Sequence, residues 1–583
     1  MNEFWNLDPI YKGFDDPAFA GDMQALGALV ERYNAFAGKL DTLQPLEGLK
    51  QAIALDEELT RLADKLIAYA SLRQSTNTRD AEAGSRVGQA MQIISGCAGA
   101  QAKVQEWIAK LPNLAELAEQ DDVLKEYTYL LENVRKDSTH LLGALGEEIC
   151  AKLSLSGGSA WTDLQGYLTS TVPVSYNGGT TNLSAIRNLA YDPDPQVRKA
   201  AYEAEIACYD RIRDAVAFAL NSLKLETISD CQLRGFASPL ARTLERARMR
   251  QETLDAMLGA MDEYLPKFWQ YLKAKGKALG HENGLPWYDL FAPMGDSNRK
   301  YTTEEAKELL VNLFSTFDSE LTDMVRRAFD EAWIDFYPRD GKSGGAFCAG
   351  VECLGESRIL TNFDGQFTDV VTLAHELGHA FHNQCIRDHR PLNHNYTMPV
   401  AETASTFNEC VVMAAAIGNA QSDDEKLALI ESQLQDAAQI ICDIYSRFRF
   451  EKSVFDNREA QFMDADALCG LMLDAQKQCY GDGLDVNCLH PYMWVCKSHY
   501  YGSTYYNFPY AFGGLFARGL YAQYEKEGAA FVPKYKKLLH TTTVASVEDT
   551  AKVAGIDLTD KNFWRGALQI IADQIDQFCE LVK

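Results

Sequence analysis

The sequence predicts a mostly α-helical protein with one small sheet. Between about Asp22 and Leu153, apolar residues recur every three and four positions, as in Leu26, Leu29, Val30 and Tyr33, and proline is rare. Between Asp340 and Asp364 that period gives way to short strand-like runs separated by glycine-bearing turns. Beyond Glu402 the helical period returns and lasts almost to Lys583.

The helical run is first broken at Thr171–Thr180, where Asn177-Gly178-Gly179 marks a turn in a small hairpin. Asp192-Pro193-Asp194-Pro195 then starts a new helix, because proline fits the first helical turn and aspartate caps it. The runs Gly344–Cys348 and Arg358–Phe363 read as strands. A chain of 583 residues is long enough for roughly three to four domain-sized units. Only one soft boundary is visible, near residue 190, with no flexible or highly charged linker. The expected division is a helical N-terminal domain over 1–190 and a second domain over 191–583, with no internal repeat or low-complexity tract.

Composition narrows the function classes. A net charge of −26 disfavours nucleic acid and anionic membranes as partners. No stretch approaches the roughly 20 apolar residues of a membrane helix. The segment MNEFWNLDPIYKGFDD lacks the basic start and apolar core of a secretory signal, which makes the cytoplasm the default expectation. The 14 cysteines are scattered and include no Cys-x-x-Cys pair, as suits reduced thiols, mostly small buried hydrophobes. Cys348 and Cys385 lie near the motif described next.

That motif is His375-Glu376-Leu377-Gly378-His379, inside an apolar, helix-compatible run from Val370 to His382. Two histidines four residues apart point the same way on a helix, one turn above the other, and can share one Zn²⁺. Glu376 beside them is placed to act as general base. A hydrolytic zinc site needs a third protein ligand and an open position. The candidate is Glu402, in a segment that Pro399 can start as a helix. Glu409 follows about two turns later on the same face and could fix the tautomer of a ligand imidazole. His382 extends the histidine row, but its place a further turn along suits a substrate contact or a buried hydrogen bond better than ligation. Gly378 costs roughly 1 kcal/mol inside a helix relative to alanine. Close approach of the helix bearing Glu402 would account for it.

Several segments together resemble oligoendopeptidase F of the thimet-oligopeptidase family of zinc metallopeptidases. They are GKSGGAFC (341–348), ILTNFDGQFTDVVTLAHELGHAFH (359–382) and VAETASTFNE (400–409), with WNLDPIYKGF (5–14), LPWYDLFAP (285–293) and HYYGSTYYNFPYAFG (499–513) towards the ends. The resemblance covers most of the chain and keeps the family's order. It implies a two-lobed helical metallopeptidase with a deep central channel and a small β-sheet beside the motif helix. It also implies one Zn²⁺ on His375, His379 and Glu402, and short unfolded peptides cut at internal bonds. His499, Tyr506 and Tyr510 carry over as contacts to substrate and oxyanion, although Phe508 and Pro509 depart from the Tyr-Gln of close relatives. Gly344, Gly345 and Ala346 would offer backbone to an extended peptide, and His382 and Tyr396 would border it. The alternatives are a carboxypeptidase or dipeptidyl carboxypeptidase on the same scaffold, and a catalytically silent peptide-binding protein. No motif encodes cleavage preference or oligomeric state.

Overall fold

The computed structural model describes residues 3–295 and 299–583. It is mostly helical, with a two-stranded and a three-stranded sheet among the described residues. The contacts divide the chain into two compact units that are not continuous in sequence. The first comprises Met1–His140, Arg299–Ala415 and Gln523–Gly555; the second comprises Leu141–Asn298, Ala416–Ala522 and Ile556–Lys583. Residues 141–190 therefore pack with the second unit, whereas the sequence-order division placed them with the N-terminal helices.

In the first unit, helices Pro17–Ala37 and Pro45–Thr76 build a core with Leu26, Leu29, Tyr33, Leu49, Leu66 and Tyr69 among its buried side chains. The residues that set the helical period in the sequence are thus the residues that bury. The three-stranded sheet lies in the same unit. Strand Glu356–Leu360 is central, pairing parallel with Ile334–Asp335 and antiparallel with Phe347–Val351. The expected first strand is displaced: Gly344 and Gly345 precede it in a bend. Gly345 has φ +76°, a left-handed conformation that cannot continue an extended strand, and its carbonyl accepts from Asn362 Nδ2 at 2.8 Å.

The second unit contains the expected hairpin, Val174–Tyr176 paired with Gly179–Thr181. Asn177 and Gly178 both have positive φ, 49° and 76°, as a two-residue hairpin turn of this hand requires. Helix Pro195–Cys208 starts where the proline pair suggested, capped by Asp194 Oδ1, which accepts from Gln196 N at 2.8 Å. Helices Gln251–Ala278 and Lys561–Leu581 pack together, with the Tyr271 and Phe578 rings 5.0 Å apart. Buried ion pairs brace the unit: Lys224 with Glu451 at 2.6 Å and Arg198 with Asp289 at 2.7 Å. No described helix is long and apolar enough to cross a membrane.

Candidate metal centre

The motif occupies helix Phe367–Ile386 of the first unit. Asp369 anchors its start by accepting from Gln366 N and Asp364 N, both at 2.9 Å. Val370, Leu373, Ala374, Leu377 and Phe381 bury its apolar face. That burial turns His375, Glu376 and His379 towards a cleft of about 1250 Å³, which Glu402, Tyr396, Ala346 and Cys348 also line.

Glu402 does not sit within one continuous helix. It stands at a break between the short helix Met398–Ala401 and the helix Thr403–Gly418, with φ −90° and ψ 9°. The break lets its carboxylate reach both imidazoles. Glu402 Oε2 lies 3.3 Å from His375 Nε2 and 3.4 Å from His379 Nε2. One ligand atom from each of the three residues falls within 4.8 Å of the others, so the set could hold one metal ion. Ser405 Oγ donates to Glu402 Oε2 at 2.7 Å and fixes the carboxylate's rotation. This serine carries no motif in the sequence; its only signal is a place three residues after the glutamate, where a hydroxyl on a helix can turn back.

Helix Thr403–Gly418 runs directly against the motif helix. A Cβ added at Gly378 would meet Ala404 O and Ser405 Cα, each at 2.5 Å. Only glycine permits this approach, which explains a residue that weakens an isolated helix. Asn408 Nδ2 donates to Ala374 O at 3.1 Å and ties the two helices together. Glu409 Oε1 meets His375 Nδ1 at 2.6 Å, leaving Nε2 for the cleft.

The charges indicate what this spot accepts. Burial opposes a charge on His375, but hydrogen bonds to Glu402 and Glu409 outweigh it and lift the imidazole to about 10. Burial also opposes ionisation of Glu402, yet the hydrogen bonds from His375 and His379 hold it well below the usual carboxylate range. Both effects are the mutual attraction of the imidazoles and the carboxylates that face them. Burial raises Glu376, with the two histidines opposing, and its Oε2 is buried without a hydrogen-bond partner. A carboxylate oxygen left so at a cleft wall fits a general base whose partner is substrate or water. Two imidazoles, one carboxylate and this spare oxygen suit zinc by donor type.

The remaining candidates separate. His382 is fully buried, with Nε2 2.9 Å from Thr542 Oγ1, so it cannot touch a ligand in the cleft directly. Its ring stacks on Tyr396 at 4.2 Å, and Tyr396 is what lines the cleft. Ala346 also lines it, whereas a Cβ on Gly344 or Gly345 would meet open space. Burial, with Glu376 adding to it, raises the Cys348 thiol strongly and keeps it neutral; burial likewise pushes Cys385 up to about 12. His499, Tyr506 and Tyr510 belong to the second unit and form a ring cluster there, with centroids 5.4 to 6.0 Å apart. Burial and the nearby Arg447 and Lys497 charges lower His499, which favours a neutral imidazole.

Comparison with known proteins agrees with this geometry. The chain is 24% identical over 597 residues to Oligopeptidase PepF of Bacillus subtilis, covering 99% of this chain and 87% of that protein. It is 22% identical to Group B oligopeptidase PepB of Streptococcus agalactiae, covering 99% and 97%. Among solved structures, one from Chlamydophila abortus, provisionally described as a peptidase, superposes with a TM-score of 0.84 at 20% identity, covering 99% and 98%. Oligoendopeptidase-F from Enterococcus faecium follows at 0.73 and 18%, covering 97% and 99%. The Oligopeptidase F N-terminal family model matches residues 107–172. The model of Peptidase family M3 matches residues 188–570, more than half of the chain and a span that includes His375, His379 and Glu402, so the chain belongs to peptidase family M3 and is a metallopeptidase.

Proposed function

We propose that the chain is a zinc-dependent oligoendopeptidase that hydrolyses internal bonds of short, unfolded peptides. The observation that carries the reading is the convergence of both Nε2 atoms on Glu402 beside the partnerless Glu376 oxygen. The names of the relatives, oligopeptidase and oligoendopeptidase, support the substrate class.

His375, His379 and Glu402 would hold one Zn²⁺. Bound there, the ion supplies Lewis acidity for water and for the scissile carbonyl. Glu376 takes a proton from the attacking water and returns it to the leaving amine, serving as base and then acid. Glu409 keeps the proton of His375 on Nδ1, and Ser405 holds Glu402 in register. Tyr396, positioned by His382, and the backbone of Gly344–Ala346 are assigned to the substrate chain. His499, Tyr506 and Tyr510 are assigned to the developing oxyanion on the strength of the family resemblance. A cytoplasmic location is in keeping with the free cysteines and the absence of a membrane-length helix among the described residues. The modules 1–190 and 191–583 are proposed as inherited units, in keeping with family models that end at 172 and begin at 188.

The test is a peptide blocked at both ends, with products read by mass spectrometry. Internal cleavage that a chelator stops and Zn²⁺ restores is the expected result. A blocked peptide left intact while its free-ended form is trimmed would replace the endopeptidase with an exopeptidase.

A further inference from the structure

The second unit holds a cavity of about 240 Å³ that the peptidase reading leaves without a role. Its wall is aromatic. The Tyr191 and Phe291 rings lie 4.9 Å apart, Tyr202 and Tyr288 lie 6.0 Å apart, and Trp287 joins them.

Five charged side chains reach the same wall: Arg187, Arg198, Glu205, Asp443 and Lys497. Four have partners within the chain. Arg187 Nη1 pairs with Glu205 Oε1 at 2.5 Å, Arg198 Nε pairs with Asp289 Oδ1 at 2.7 Å, and Asp443 pairs with Arg447. The Lys497 ammonium makes no hydrogen bond or ion pair among the described residues; only its backbone carbonyl is engaged, accepting from Tyr500 N at 3.3 Å. Burial, and then the Arg447 charge, lowers its ammonium. The wall thus carries one cation in excess, held in a partly desolvated, apolar setting.

We propose that this cavity binds the carboxylate end of a short peptide whose last side chain is apolar or aromatic, with the carboxylate on the Lys497 ammonium. A charge-assisted hydrogen bond to an unpaired, half-buried ammonium is stronger than one in water. The aromatic wall offers offset and edge-on contacts to a ring or a branched aliphatic group. The volume falls below the roughly 300–1,000 Å³ of drug-sized pockets, leaving room for about one residue. The acidic groups at the wall are already neutralised by Arg187 and Arg447. A free α-ammonium would find no unpaired carboxylate there, and this favours an acylated amine, as in a peptide, over a free amino acid. The inference shares with the proposed activity only a peptide ligand and uses none of the metal chemistry.

Calorimetric titration of the full-length, metal-loaded protein with N-acetyl-L-phenylalanine tests it without turnover. One saturable site is expected. N-acetyl-L-phenylalaninamide and free L-phenylalanine should each bind about tenfold more weakly or worse, the loss of one charged hydrogen bond. Lys497→Met should lose a similar factor while keeping the wild-type melting transition, and Lys497→Arg should retain binding. If Lys497→Met does not fold, the Lys497→Arg variant and the carboxylate-to-amide comparison on the wild type decide. No binding, equal binding of the amide, or binding that disappears when a chelator removes the metal would overturn the site. Equally tight L-phenylalanine would overturn the peptide-end assignment.

Discussion

Around His375 and His379 in the first unit, Glu376, Glu402 and Glu409 gather with no lysine or arginine paired to them among the described residues. Around Glu451 in the second unit, Lys224 comes to 2.6 Å, and Tyr505 N and Asn507 Nδ2 donate to the same carboxylate. Both places bury acidic groups. At Glu451 every charge has its counter-charge within the chain, and the result is a brace for the turn that leads to Tyr506. At the histidine pair the acidic groups exceed what the chain supplies, and one oxygen has no partner at all. Buried charge matched within the chain holds structure, while a surplus beside a cleft calls for a ligand from outside.

Replacing charge at each place should therefore break different things. Glu376→Gln is expected to cut kcat by about 10³-fold or more while zinc stoichiometry, read by elemental analysis, stays at the wild-type value. Equal loss of metal would make Glu376 part of the binding set. Lys224→Met should leave a buried carboxylate unpaired and cost about 3–5 kcal/mol in urea unfolding, without altering zinc content. Gly378→Ala separates geometry from charge. Its methyl must displace backbone at Ala404 and Ser405, which should cost about 3 kcal/mol in unfolding and weaken zinc retention together. An alanine variant of wild-type stability would mean that the two helices can separate freely. The smallest effect is expected from Glu409→Gln, which keeps the shape but weakens the hold on His375 Nδ1. Zinc affinity by competitive chelation should fall about 10- to 100-fold, with the fold intact.

The sequence exposed the parts of the site that helix geometry alone arranges. Spacing of four residues puts His375 and His379 on one face, and the apolar positions beside them say which way that face turns. Gly378 announced a close approach because its cost had to be offset somewhere. The strand before the motif was legible as a strand but not in register, since nothing in Gly344-Gly345 reveals which glycine takes the left-handed bend. His382 was legible as a third member of the histidine row. Its burial under Tyr396 depends on Thr542, 160 residues away. Ser405 and the Lys497 cavity gave no local signal.

By itself the sequence determined the helical class, the hairpin at Asn177-Gly178, the histidine pair and the acid between them, because each follows from local backbone geometry and side-chain spacing. Only the tertiary structure decided that Glu402 stands at a helix break facing both imidazoles, that the contacts divide the chain into units interleaved in sequence, and that the Lys497 ammonium has no directly paired carboxylate, the nearby Asp443 being taken by Arg447. Those outcomes depend on which distant segments share a core and which charges meet within it. Such pairings are made by packing across hundreds of residues and leave no periodic trace along the chain.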